Sequence, residues 1–434
     1  MTGTSAANRA PSRVAQVVHA TLPYATIAAF VFAATFNLQP DLLRYAITAA
    51  LGGYLLLCAL AIVGGKVPGQ GLGLFALTSF LALNFIHIVI LGKTDTLYFF
   101  AQYLFAFMVS TIFFLPNFSG LSARRVNELF LVVGVFFVIA LFQAYFFDPL
   151  VRGTTRLAPF NGGPEGLHPS AYAILAFLAF FAMVHRRLTP SLKWLNIAAF
   201  VVGLVTIEVY GVRTAELAFF VAAVTVVIFA VGLYYGMPLG NIVLIFAAYI
   251  FPAIIAILLY LVFSVDDFSR ELVAYSSGRT VAYQERLSMF WNRSLFEQLI
   301  GGGAGSDYVT GIDSWRSSTK DSHNDFLSFL LEYGVLGFLV FSCWCLSMML
   351  SSRSVRELAV VAGMVVASFV SNGVLLRPTL FILFALAIVV SRTAPVVIRP
   401  AKSAADPARR MLPQSRAVAR ARRTAGFSKY GQGG

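Results

Sequence analysis

The chain has 434 residues, of which 59% are apolar and 12% charged, and its formal net charge is +13. A soluble protein has about 45–50% apolar and roughly 25% charged residues, so soluble, disordered and small secreted classes are excluded. Length is better counted in membrane spans of about 20 residues each. Cys58, Cys343 and Cys345 all lie in apolar stretches, and the last two face different sides of a helix, so neither a disulfide framework nor a zinc site is implied.

In chain order, apolar runs stand at 21–36, 42–63, 71–91, 97–115 and 129–147. After a Pro/Gly-rich gap they resume at 171–184, 195–210, 217–235, 242–263, 326–350, 358–375 and 380–390. The expected fold is all-α, a polytopic integral membrane protein with about 12 transmembrane helices and one long periplasmic loop between helices 9 and 10. Its parts are a cytoplasmic N-terminal segment (1–20), a transmembrane domain (21–391) containing the periplasmic loop (265–322), and a basic cytoplasmic tail (392–434). The first run contains Pro23, and no convincing A-x-A cleavage site follows it, so it reads as a span rather than a signal peptide.

Charge sets the orientation. With both termini cytoplasmic, 20 of the 32 Lys and Arg fall inside, among them Arg124, Arg125, Arg186, Arg187, Lys193, Arg353 and Arg356. Short inner loops are the more basic ones, as the positive-inside rule requires. The arginines clustered from Arg409 to Arg423 follow the last span. They suit an anionic inner leaflet, or a disordered topogenic tail, better than nucleic acid.

Most remaining polar surface is on the outer face, at 148–170 and 265–322. No G-x-x-x-x-G-K-[ST], no G-x-G-x-x-G after a strand pattern and no H-E-x-x-H occurs, and Asp266 and Asp267 are adjacent rather than spaced for a divalent ion. The expectation is chemistry without a cofactor or a metal. Within the loop, Val281, Gln284, Leu287, Trp291, Leu295 and Leu299 stand near helical spacing. They predict either an interfacial helix at the outer membrane surface or a helix packed on the bundle. The run Gly301 to Ser306 could form an anion-binding nest, although most such runs are only turns.

Ser322 followed by Asp325 resembles a capping box, which puts His323 at the first position of the tenth span. There the positive end of the helix disfavours imidazolium and attracts phosphate oxygens, so a neutral base and an anion site would adjoin. Glu332 stands nine residues further on, facing the opposite side. Of five histidines, His168 and His323 form the outer pair. Arg213, with Glu208 and Glu216 nearby, and Arg279 supply planar guanidinium groups suited to phosphate, although boundary arginines also snorkel without any ligand.

These residues resemble the O-antigen ligase and O-antigen polymerase family of bacterial membrane glycosyltransferases. The resemblance is carried by H-N-x-x-L-x-x-L-x-E-x-G-x-x-G, formed by His323, Asn324, Leu327, Leu330, Glu332, Gly334 and Gly337. Arg279, Trp291 and the Gly301–Gly305 turn precede it, and Arg156, Leu157 and Phe160 form R-L-x-x-F, with Arg213 at an outer helix end. The chain departs from the family at His168-Pro169-Ser170, where Pro-Asn is usual, which weakens Arg156 and His168 as site residues.

The resemblance implies transfer of a polyprenyl-diphosphate-linked oligosaccharide to an acceptor hydroxyl of a glycan on the periplasmic face of the inner membrane. Under it, His323 is the base, Arg213, Arg279 and Arg156 bind the diphosphate, and Glu332, His168 and Glu208 support them. Tyr275, Tyr283, Trp291, Tyr308 and Trp315 could stack on sugars or simply anchor the interface. Partners are the lipid-linked donor, the glycan acceptor and the bilayer, with a chain-length regulator or another polysaccharide-assembly protein as a candidate. Polymerisation of exopolysaccharide or O-antigen repeat units is the leading expectation, with ligation to lipid A core the alternative. A lipid-linked oligosaccharide flippase or transporter is the rival from another class, since about 12 spans also suit it. Such proteins place ionisable groups at mid-membrane, whereas here, His87 apart, they gather at the outer rim.

Overall fold

The computed structural model describes residues 13–35, 41–62, 67–93, 97–115, 122–146, 167–245, 279–309, 324–370 and 378–392, and every element among them is helical. The first group is α1 Arg13–Thr35, α2 Asp41–Ile62, α3 Gln70–Phe85 with a π turn to Ile90, and α4 Leu97–Val109 with a 3-10 turn to Phe114. Next come α5 Ala123–Phe146, α6 Leu167–Val184, α7 Pro190–Tyr210, α8 Arg213–Tyr234 and α9 Leu239–Ile245. Three short helices, α10 Arg279–Trp291, α11 Leu295–Ile300 and α12 Ser306–Val309, lead to α13 Asp325–Ser351, α14 Val355–Val370 and α15 Pro378–Ser391.

These helices form because long apolar segments satisfy their backbone N–H and C=O groups internally, which lipid demands. Seven are long and apolar enough to cross a membrane: 13–32, 45–62, 70–90, 97–114, 190–209, 213–234 and 325–351. The architecture is that of a multi-pass helical membrane protein. Apolar side chains such as Val135, Leu195, Phe220 and Val227 are exposed on helix flanks, the inverse of a soluble helix. Boundaries follow local chemistry: Pro190 opens α7 in its first turn, and Gly211, left-handed at φ 56, closes it.

The core is aromatic where α3, α4 and α13 meet. Phe80 stacks on Phe107 with ring centroids 4.5 Å apart, and Phe107 on Trp344 at 4.6 Å. Elsewhere α15 packs on α6 and α1, and α14 packs closely on α8. A Cβ on Gly363 would stand 2.8 Å from the Ala218 carbonyl, so the two backbones approach through small residues.

Charge is sorted to the ends of the bundle. Arg353 donates to the Leu115 carbonyl (2.7 Å), Arg356 to that of Ala182 (3.0 Å), and Arg392 to those of Phe113 (2.5 Å) and Ser351 (3.2 Å). Thr189 N–H reaches Asn127 at 3.4 Å. The turns after α4, α6 and α13 therefore meet at one basic end, together with Arg124, Arg125, Arg186, Arg187 and Lys193. The opposite end carries the Gly-rich turn.

Candidate functional site

The site is built on an interruption in α13. Asn324 caps it, its side chain accepting the Leu327 N–H at 3.0 Å, and the helix runs to Tyr333. Gly334 then adopts φ 66, ψ −163, outside the helical region, before the helix resumes. Carbonyls ahead of such a break lose their N–H partners four residues on, a costly state in an apolar surround. The Gly-rich turn supplies replacements: Gly302 N–H donates to Leu331 O (3.1 Å) and Gly303 N–H to Glu332 O (2.7 Å). The Arg293 guanidinium also donates to Leu331 O.

Glycine is required on both sides of this seam. A Cβ on Gly301 (φ 80) would overlap the backbone of Glu332 and Tyr333, and one on Gly334 would overlap the backbone of Leu299. The expected anion nest is thus occupied from within, because two of its N–H groups serve helix carbonyls. A third, on Gly305, lies against the Glu332 carboxylate.

Behind the seam is a buried polar network. Glu332 is 1% exposed and accepts from the Tyr103 hydroxyl at 3.2 Å. Asp307 lies 3.1 Å from the Arg286 guanidinium, both side chains being 1% exposed, and accepts from the Ser328 hydroxyl at 2.7 Å. Tyr333 donates to Asn84 (2.9 Å). The π turn carries His87 into the bundle, where Nε2 donates to the Ile300 carbonyl at 2.8 Å. Lys93 caps Gly302 O at 2.6 Å. Six helices, α3, α4, α10, α11, α12 and α13, are joined by this network around the Gly-rich turn.

Of the sequence-predicted site residues, Glu332 sits inside this network rather than lining an opening. Arg213 is the first residue of α8 and exposed, and Glu208, also exposed, ends α7 across the Gly211 turn. α8 begins at the same end of the bundle as Asn324: α14 packs along α8, and Phe369 of α14 meets Phe326 of α13 with centroids 5.5 Å apart. His323 and Arg156 lie outside the described residues. So do the side chains of His168 in α6 and Arg279 at the start of α10. The cap is Asn324, not Ser322, so the helix begins two residues later than the capping-box spacing predicts. Asn324 prevails because its own amide oxygen accepts the third N–H of the helix.

α10 docks on the bundle through a face rotated from the predicted stripe, of which Leu287 packs at its edge. Ala282, Arg286 and Phe290 are buried, Phe290 against Leu327 and Leu331, because Asp307 draws the Arg286 guanidinium inward. Trp291 and Leu295 remain 60% and 84% exposed at the rim. Arg286, Arg293 and Asp307 had no distinguishing mark in the sequence beyond being charges beside a Gly-rich turn. The chain matches no protein-family model and no curated protein.

Proposed function

We propose that the chain is a metal-independent membrane glycosyltransferase of the O-antigen polymerase/ligase type, polymerising polyprenyl-diphosphate-linked repeat units at the extracytoplasmic face of the inner membrane. One observation carries this reading. The residues that resemble the family's motif form a single construction, in which Asn324 caps α13, Glu332 is buried beneath the Gly-rich turn and Gly334 breaks the helix. His323 immediately precedes that cap in the chain, and Arg213 stands at the same end of the bundle.

The positive-inside rule makes the basic end cytoplasmic, so about 12 spans would put both termini inside and this construction outside. In the proposed reaction His323 takes the proton of the acceptor hydroxyl as it attacks the anomeric carbon. Arg213, Arg279 and Arg156 stabilise the departing polyprenyl diphosphate as its bridging bond to the sugar breaks. Glu332 acts at a remove, holding the turn and helix together.

The test replaces His323 or Arg279 by Ala in cells and follows lipid-linked glycan. Each variant is expected to insert normally and abolish transfer. Single repeat units accumulating on the carrier would support polymerisation, and long chains left on it would support ligation instead. Normal polymer from either variant would remove the assignment.

A further inference from the structure

Helices α6, α8 and α14, with α15 behind them, leave a cavity of about 330 Å³. Small side chains give it its width: Ala182 on α6, Ala218 and Ala222 on α8, and Ala359, Gly363 and Ala367 on α14. Its lining is apolar apart from the Arg356 guanidinium at the basic end and the hydroxyl-bearing Tyr172 of α6. From Arg356 to Ala367 the helix rises about 16 Å at roughly 1.5 Å per residue. That is close to one leaflet, half of a hydrocarbon core about 30 Å thick. The slot has the length and polarity of an acyl chain, with a cation where a headgroup would begin.

Arg356 is fixed at the mouth by its bond to the Ala182 carbonyl (3.0 Å), which uses one of its five N–H donors. Exposed Arg186, on the turn after α6, acts on it as a like charge. Burial, and then Arg186, hold the Arg356 guanidinium below its ordinary pKa. Among the described residues no carboxylate pairs with either arginine, since Glu357 is engaged by Arg392 and by the Arg353 N–H. Arg356 at the mouth of the slot and Arg186 on the turn beyond it repel each other, and an anion between them would relieve that repulsion.

We propose that this slot binds one anionic phospholipid, its phosphate between Arg186 and Arg356 and one acyl chain in the cavity. The site is separate from the glycan-transfer reading and stands or falls without it.

Purified full-length chain in detergent micelles, doped with dioleoylphosphatidylglycerol or dioleoylphosphatidylcholine, tests this by native mass spectrometry and thermal unfolding. One phosphatidylglycerol per chain should be retained, at least tenfold over phosphatidylcholine, with a raised unfolding temperature. Arg186→Gln with Arg356→Gln should erase the headgroup preference, and Ala182→Phe should reduce retention of phosphatidylglycerol at least tenfold. Equal retention of the two lipids by the unaltered chain would overturn the proposal. So would an equal thermal shift from inorganic phosphate alone, or undiminished retention by a folded Ala182→Phe variant.

Discussion

Gly301 and Glu332 meet backbone to backbone: a Cβ on Gly301 would overlap the Glu332 carbonyl, the same group that accepts the Gly303 N–H at 2.7 Å. Gly301 (φ 80, ψ −170) and Gly334 (φ 66, ψ −163) both occupy a region open essentially to glycine alone. Gly301→Ala and Gly334→Ala should each cost about 3 kcal/mol or more, combining backbone strain with displaced hydrogen bonds. Thermal unfolding in detergent measures this. Gly134→Ala in α5, where nothing lies within 4 Å, is the control and should change stability by less than about 1 kcal/mol.

Arg286 and Asp307 are a buried pair outside the spanning helices, and removing either takes the opposite charge from the other. Asp307→Ala should cost about 3–5 kcal/mol, because a 1%-exposed guanidinium loses its carboxylate where water does not reach. Arg286→Leu should cost a similar amount, leaving the carboxylate with the Ser328 hydroxyl at 2.7 Å. The double variant should be milder than the sum of the two, and strict additivity in the cycle would show that the pair is not coupled.

Hydropathy alone located the helices closely, as with the runs at 42–63 and 97–115 against Asp41–Ile62 and Leu97–Phe114, because in lipid a side chain's polarity reports its surroundings directly. It stopped short where a helix continues into polar residues: α1 starts at Arg13 and α5 at Ala123, before their apolar runs begin. Beyond that the limit is long-range pairing. Asn84 finds Tyr333, Tyr103 finds Glu332 and His87 finds Ile300 across more than 200 residues, and no local spacing announces such partners. The break at Gly334 is equally silent, since the apolar pattern runs through it. The donors arriving from Gly302, Gly303 and Arg293 reveal which carbonyls were released.

Arg392 should not tolerate lysine. Its guanidinium reaches Glu357 (2.8 and 3.1 Å) and the carbonyls of Phe113 and Ser351 at once, a fork that a single ammonium cannot reproduce. It also acts on Arg353, which burial and then Arg392 hold down to about 10, with Glu357 opposing. Arg392→Lys is expected to lose about 1–3 kcal/mol, and Arg392→Ala more, since Glu357 then loses a guanidinium that donates to it twice. Removing both Arg392 and Glu357 should restore part of the loss, read from unfolding temperatures of the purified variants.

Asn324 links the architecture to the proposed chemistry. Its amide oxygen accepts the Leu327 N–H at 3.0 Å, so it sets where α13 begins and where the loop carrying His323 joins. Losing such a cap costs about 1 kcal/mol, too little to unfold the protein. A base displaced by about 1 Å can cost on the order of 100-fold in rate. Asn324→Ala should therefore lower glycan transfer per inserted molecule by about tenfold or more with little change in unfolding temperature. Asn324→Asp and Asn324→Ser, which retain a capping oxygen, should keep most of the activity. Transfer undiminished in Asn324→Ala would mean that the cap does not position the reacting histidine, and transfer lost equally in all three variants would point to the amide group itself rather than to capping.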